Sequence, residues 1–312
     1  MTATTLIILN PHAGSGRAGE IWREIEPTLW AHMGEMIVAV TENADEVARH
    51  VEKAYAVGVR RVIALGGDGT NHALVNALAH FNQQYAGDSP MIYGNIPVGT
   101  GRDWARGQGM PFTDPMSIAR WIINATPTPT DVGKVSFNPG SADQSHEYFL
   151  NIASAGLGGE VAKRVNRMPK RSWTFLEATI RTVIGYRPQP FEVTVDGQEW
   201  YEGDAYVVAV ANGTTFGHGM KIAPEARTSD GLFDVILVKG VSRLTVLTAL
   251  RRVYNATHLT HPGVLSIRGR EIAIRSPRRQ SGGLIEMELD GEFSAARDVV
   301  FSVQPKLLNI LL

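Results

Sequence analysis

No cysteine occurs among the 312 residues, which excludes a disulfide framework, a thiolate metal site and a cysteine nucleophile together. A reducing compartment is the matching expectation. No apolar run reaches the roughly eighteen residues needed to cross a bilayer, so any membrane contact is expected to be peripheral. Charge of one sign is also missing. A formal net charge of -1 lacks the basic footprint of a nucleic-acid-binding protein, and no nucleic-acid partner is expected. Residues 1–10 carry no basic leader or small-residue cleavage site, so the expected location is cytoplasmic. The Asn-x-Thr triplets at Asn124, Asn212 and Asn255 then have no glycosylation meaning. There is no His-Glu-x-x-His pair, and His258 and His261 merely end a helical stretch before Pro262, which speaks against zinc.

What is present has globular proportions. With 44% hydrophobic and 20% charged residues the chain can bury a sizeable core, and its length exceeds what one core usually organises, so two domains are expected. The first part alternates. Strands at Thr5–Leu9, 35–41, 61–65 and 91–97 are interleaved with helices at 20–33, 43–58 and 70–81, from Arg102, and at Pro115–Asn124. That pattern predicts a parallel sheet covered on both faces. Beyond the Pro-rich stretch 126–130 strands predominate, at 148–153, 191–195, 205–211, 232–238, 264–267, 271–274, 284–289 and 299–303, with helical insertions at 173–184 and Arg243–Tyr254. The expected fold class is therefore α/β followed by an all-β region, a sandwich or a barrel. Boundaries are expected at 1–130 for the α/β domain and 131–304 for the mostly-β domain, with 305–312 returning to the first domain.

Chemistry concentrates where strands of the first domain end, which is where open parallel sheets present ligand crevices. Asn10-Pro11-His12-Ala13-Gly14-Ser15-Gly16 joins a strand to a helix, and its small residues would let backbone amides approach an anion. Gly14, Gly16 and Gly19 also satisfy the dinucleotide pattern G-x-G-x-x-G, with Glu42 near the place of a ribose-binding acid; such a lone match is weak. Gly66-Gly67-Asp68-Gly69-Thr70 is more informative, since three glycines around one carboxylate exceed what a strand-to-helix turn needs. Thr70 could alternatively be a plain helix cap. No Gly-Lys-Ser/Thr follows, so this is not a Walker A loop. The third turn, from Pro97 to Arg106, offers Gly99, Thr100, Gly101 and two arginines, Arg102 and Arg106, suited to forked donation to phosphate.

These residues resemble the diacylglycerol kinase catalytic superfamily, which includes bacterial lipid kinases, sphingosine kinase and ceramide kinase. Asn10-Pro11 with Gly14, the run Gly66 to Thr70, Pro97-x-Gly99-Thr100-x-x-Asp103-x-Ala105-Arg106, Asp230-Gly231-Leu232 and Asp290-Gly291-Glu292 occur in the family's order, over nearly the whole chain. The resemblance implies a nucleotide-binding α/β domain followed by a β-sandwich domain, and a kinase that transfers the γ-phosphate of ATP, with Mg, to a hydroxyl of a membrane lipid such as diacylglycerol. It implies ATP contacts at Asn10, Pro11, His12, Ala13, Gly14, Thr41, Gly66, Gly67, Asp68, Gly69, Thr70, Asn71, His72 and Thr100. Asp68 would lie near the transferring group. Asp230, helped by the carbonyls of Arg227 and Leu232, would hold a structural Mg ion, and either Asp290 or Glu292 would take the lipid hydroxyl proton. Arg102 stands where members commonly carry asparagine. Read by itself, Asp290-Gly291 is a strong hairpin signal, like Asp196-Gly197.

One further segment bears on the substrate. Lys163, Arg164, Arg167, Lys170, Arg171, Arg181 and Arg187 interleave with Trp173, Phe175 and Tyr186, with Glu177 as the lone acid, and could rest on anionic headgroups or simply form a solvated helix face. The alternative functions are an NAD kinase or dinucleotide-dependent oxidoreductase and a silent nucleotide or lipid binder. No residue pattern bears on the oligomeric state; a homodimer stays open.

Overall fold

The apolar runs of the first half become central strands because both of their faces are covered. A computed structural model describes residues 4–85, 90–99, 101–165, 167–168, 174–277 and 283–312, with backbone alone at 174–176, 248 and 249. The chain forms two compact units: Met1–Asp131 with Pro305–Leu312, and Val132–Gln304.

In the first unit, β1 (Thr5–Leu9), α1 (Arg17–Met33), β2 (Met36–Val40), α2 (Ala44–Ala56), β3 (Arg61–Gly66), α3 (Asp68–Gln84) and β4 (Ile92–Pro97) alternate, followed by α4 (Asp103–Gly107) and α5 (Pro115–Asn124). β2, β1, β3 and β4 lie side by side, all parallel. β1 is buried along its whole length, as a parallel strand between two helical layers must be. One core lies under α1 and α5, where Ile7, Leu9, Ile63 and Leu65 meet Trp22, Ile25, Leu29, Ile118 and Ile122. Local signals act as expected at α2: the Asn43 side chain accepts the Glu46 N–H at 3.1 Å, and Glu46 Oε2 accepts the Glu42 N–H at 2.9 Å. α1 begins at Arg17 and α3 at Asp68, earlier than expected, because glycines at 19, 67 and 69 hide the helical spacing of their first turns.

The Pro-rich stretch 126–130 is not a linker. It opens β5 (Pro127–Phe137), which pairs with β6 (Ser145–Phe149). The second unit continues with β7 (Ile152–Gly156), α6 (Leu157–Val165), α7 (Thr174–Gly185), β8 (Gln189–Val195), β9 (Gln198–Ala211), β10 (Phe233–Lys239) and α8 (Arg243–Tyr254). After a 3-10 turn at His258–Thr260 come β11 (Val264–Gly269), β12 (Glu271–Arg275), β13 (Ile285–Leu289), β14 (Glu292–Ala296) and β15 (Asp298–Leu311). The order β14-β13-β7-β9-β8-β12-β15 is antiparallel throughout, and β9 also carries β10, which carries β11. The far end of β15 runs parallel to β4 in the first unit, with Asn309 opposite Ile92. The sandwich core gathers Phe149, Phe191, Phe233, Phe301, Val208 and Val210, with the Phe149 and Phe233 rings stacked at 5.7 Å.

Two expectations need correction here. The single strand expected over 148–153 is two strands, broken at Leu150 and Asn151, whose amides turn to a distant carboxylate. The short elements α6 and β14 were not anticipated: Gly158 and Gly159 weaken any helical signal, and β14 is five residues long.

Candidate active site

Three glycine-rich turns of the first unit meet at the amino end of α3. Asn10 follows β1; its backbone N–H donates to Leu65 O at 3.0 Å and its side chain donates to Thr70 Oγ1 at 3.3 Å. Thr70 is thus bonded to the first turn, and no side chain caps α3 at Gly67. The start of α3 thus lacks a capping side chain, and its helix dipole favours an anion there. The third turn is laid against the second by Val98 N–H and Gly99 N–H, which both donate to Gly66 O at 3.0 and 3.3 Å. A Cβ on Gly99 would come within 2.8 Å of Gly67 Cα, and one on Gly101 within 2.6 Å of Asp68 Oδ2. Gly14, at φ 61°, would meet Val98 O at 2.6 Å. Glycine at these places is what lets the turns touch. Tyr93 adds a hydroxyl bond to Asn71 Oδ1 at 3.1 Å, His72 Nε2 lies 3.3 Å from Asn76 Nδ2, and buried Thr41 joins through its N–H to Leu9 O at 2.9 Å. Pro11 and Ala13 are half-buried, while His12 is exposed with its N–H on Asn10 Oδ1. Thr100 lies outside the described residues.

Arg102 does not point freely at solvent. Its Nε donates to Gly99 O at 2.5 Å and its Nη1 to Phe112 O at 2.7 Å, so it braces the third turn. Burial lowers its pKa, and the neighbouring Arg17 and Arg106 push it the same way, with Asp68 opposing. Arg17, Arg106 and Asp68 therefore all lie within electrostatic reach of Arg102, and a cluster rich in guanidiniums suits phosphates. Arg17, the first residue of α1, was not singled out from the sequence; a cation directly after a glycine-rich turn was the available signal. In the dinucleotide pattern, Gly16 caps α1, Gly19 sits inside it, and Glu42 belongs to the α2 cap.

In the second unit, Asp290 and Gly291 form the β13–β14 turn, both left-handed at φ 51° and 94°. The Asp290 carboxylate accepts three backbone N–H groups, from Leu150 at 2.7 Å on Oδ2 and from Asn151 and Ile152 at 2.9 and 3.1 Å on Oδ1. The hairpin reading of Asp290 describes its geometry. Glu292, the first residue of β14, is exposed. Two residues before Asp290 is a group the sequence reading missed: Glu288, only 6% exposed, whose Oε1 accepts from Ser154 Oγ and whose Oε2 accepts from Gly291 N–H, each at 2.8 Å.

Asp230, expected to ligate Mg, accepts the Leu232 N–H on Oδ1 at 3.2 Å and bonds Arg268 Nη2 through Oδ2. Arg268 also reaches Asp234, its cross-strand partner, at 3.4 Å. A guanidinium neutralises the one carboxylate of the set, and among the described residues no three acidic, histidine or cysteine side chains gather as a metal site. In the Arg227, Asp230 and Leu232 set the carboxylate is thus held by Arg268, and no step below runs through a metal ion there. His258 is buried with Nε2 2.8 Å from Ile222 O, and His261 Nδ1 accepts from Gly263 N–H, so both are structural.

The basic stretch is partly neutralised from within. Lys163 pairs with Glu286 at 2.5 Å and with Glu160 at 3.7 Å, Arg164 with Glu160 at 3.8 Å, and Arg181 with Glu177 at 2.8 Å. Tyr186 packs inward beside Tyr206, and burial pushes its pKa up. Lys170, Arg171, Trp173 and the Phe175 side chain lie outside the described residues.

Comparison with known proteins bears on the same features. Residues 4–135 match the family described as diacylglycerol kinase catalytic domain, and residues 151–312 match the YegS C-terminal NAD kinase beta sandwich-like domain. The chain belongs to the diacylglycerol kinase family. Its architecture is accordingly an N-terminal catalytic domain with a parallel sheet and a C-terminal β-sandwich domain. A protein named diacylglycerol kinase from Mycobacterium tuberculosis is 29% identical, over 97% of this chain and 93% of its own length. One named "Probable lipid kinase YegS-like" from Stenotrophomonas maltophilia is 31% identical over 67% of this chain and 66% of its own. Among solved structures, a diacylglycerol kinase from Bacillus anthracis shares the fold with a TM-score of 0.71 at 21% identity, covering 99% of this chain and 96% of that one. A yeast NADH kinase shares it more distantly, with a TM-score of 0.53 at 12% identity over 99% and 83% of the two chains.

Proposed function

We propose that this family member is an ATP-dependent lipid kinase that phosphorylates a hydroxyl of a membrane lipid such as diacylglycerol. The single observation that carries the reading is the meeting of three glycine-rich turns at the start of α3, where Asp68, Arg17 and Arg106 all lie within electrostatic reach of Arg102. Asn10 to Gly14, Thr41, Gly66 to His72 and Thr100 then contact the nucleotide, mostly through backbone amides. Phosphoryl transfer asks a protein mainly to align reactants and neutralise charge, and these groups suffice without a covalent residue. Magnesium arriving with the nucleotide supplies charge neutralisation, and Asp68 is the carboxylate that would hold it.

The acceptor oxygen attacks the terminal phosphorus, the bond to the ADP oxygen breaks, and the hydroxyl proton goes to a carboxylate. Of the two candidates Glu292 is favoured, because both Asp290 oxygens already hold backbone amides while Glu292 is exposed. Peripheral membrane contact has its own support. Val183 of α7 and Val246 of α8 are buried around Tyr206, while Ile180, Ile184 and Leu244 are exposed near Arg181, Arg187 and Arg243. An apolar patch with basic residues suits an anionic bilayer surface.

Labelled ATP and mixed lipid vesicles test the reading. Wild-type chain is expected to label a lipid that migrates as a phosphate ester, and Asp68→Ala to lose about 100-fold or more in rate at unchanged melting temperature. Phosphate transfer to NAD in a lipid-free assay, or ATP binding with no ADP release on any lipid, would replace it with another function.

A further inference from the structure

Glu288 is a buried carboxylate that no step above uses, and its place on β13 gives it a role. It stands directly opposite Ser154 of β7 in the strand pairing, and that hydroxyl donates to Oε1 at 2.8 Å. Its other oxygen, Oε2, accepts the N–H of Gly291 at 2.8 Å. Gly291 is the residue between Asp290 and Glu292. The turn is thus held twice: Asp290 grips the amides of Leu150, Asn151 and Ile152 on one side, and Glu288 grips the amide of the turn itself on the other. Room for the second grip comes from α6, where a Cβ on Gly158 would run into Ser154 Oγ and come within 3.6 Å of Glu288 Cγ.

The energetic logic favours positioning. A two-residue hairpin turn with both residues left-handed is sterically defined, yet its N–H and C=O groups still have to choose partners. A buried oxygen acceptor aimed at Gly291 N–H restrains the Asp290–Gly291 peptide, one residue before Glu292. Ser154 in turn restricts the Glu288 rotamer, so the restraint is passed from the rigid β7–β13 pair to the turn.

We propose that Glu288, anchored by Ser154, is a positioning residue that sets the direction of the Glu292 carboxylate for proton removal from the acceptor hydroxyl. This rests on the assignment of Glu292 as base, and the experiment separates the two. Full-length Glu288→Ala, Glu288→Gln, Ser154→Ala and Glu292→Gln are assayed with labelled ATP on diacylglycerol-containing vesicles, with kcat, KM for ATP, pH profile and melting temperature recorded for each. Glu288→Ala is expected to lose ~100-fold in kcat, the scale of a misplacement of about 1 Å, with KM for ATP unchanged well below its melting temperature. Glu288→Gln keeps an acceptor for Gly291 N–H and a donor for Ser154, so it is expected to stay near wild type in kcat and pH profile. Ser154→Ala is expected to lower kcat part of the way, and carries the test if Glu288→Ala does not fold. Glu288→Gln as impaired as Glu288→Ala would mean that charge and not the hydrogen bond matters, which overturns the proposal. So would full kcat in Glu288→Ala or Ser154→Ala beside an inactive Glu292→Gln. An active Glu292→Gln would instead sink the base assignment on which the proposal stands.

Discussion

The Asp290 carboxylate accepts the backbone N–H of Asn151 at 2.9 Å, tying the β13–β14 turn to the break between β6 and β7, 139 residues earlier in the chain. Leu150, Asn151 and Ile152 are all buried, so their amides depend on the carboxylate as acceptor.

Asp290→Ala is therefore expected to lose about 3 kcal/mol of stability, since buried amides lose their acceptor together. Asp290→Asn, with one amide oxygen in place of two carboxylate oxygens, should fall between. Urea unfolding checks this, and an alanine variant as stable as wild type would show that the three bonds carry no net weight. Any activity lost by Asp290→Ala is then to be judged against its stability before a chemical role is assigned.

Two glycine substitutions should behave oppositely. Gly99→Ala would bring a methyl within 2.8 Å of Gly67 Cα and 3.2 Å of Asp68 N, so the third turn has to move; KM for ATP is expected to rise sharply. Gly19→Ala, inside α1, meets nothing within 4 Å and should add about 0.5–1 kcal/mol by helix propensity. Melting curves and ATP titrations on both would expose a reversed order.

His258 gives a pH signature. Burial lowers its pKa below the ordinary 6.5, against the opposing hydrogen bond to Ile222 O. In the window from about 6.5 down to the lowered folded pKa the unfolded chain binds a proton that the native chain refuses, so stability falls as pH falls through it and recovers above it. His258→Gln can keep the bond to Ile222 O without titrating. Its melting temperature is expected to lose this slope between pH 7.5 and pH 5, both about the range where histidine titrates; an identical slope in both proteins would point to other groups.

Chelation should be silent in the absence of nucleotide. With Asp230 neutralised by Arg268, EDTA and excess magnesium are expected to give the same melting temperature. A clear rise with magnesium that Asp230→Asn abolishes would show that a cation displaces the guanidinium.

Local signals in the sequence were sufficient for the elements whose causes lie within a few residues. Asn43 with Glu46, and the Asp196-Gly197 and Asp290-Gly291 turns, all act over one turn of chain, and each takes the expected form. The three glycine-rich turns were legible for the same reason, as each follows an apolar strand and opens a helix. Partnerships across long separations were not. That Thr70 bonds Asn10 instead of capping its helix, that Asp290 splits a strand in two, that Arg268 covers Asp230 and that Glu288 holds the Gly291 amide all depend on which strands become neighbours. Composition, alternation and motif order by themselves determined two domains, their classes and the kinase family. Only the tertiary structure decided which carboxylates are occupied by backbone amides or a guanidinium and which remain exposed, because a carboxylate's role follows from the donors brought to it and not from its place in the chain.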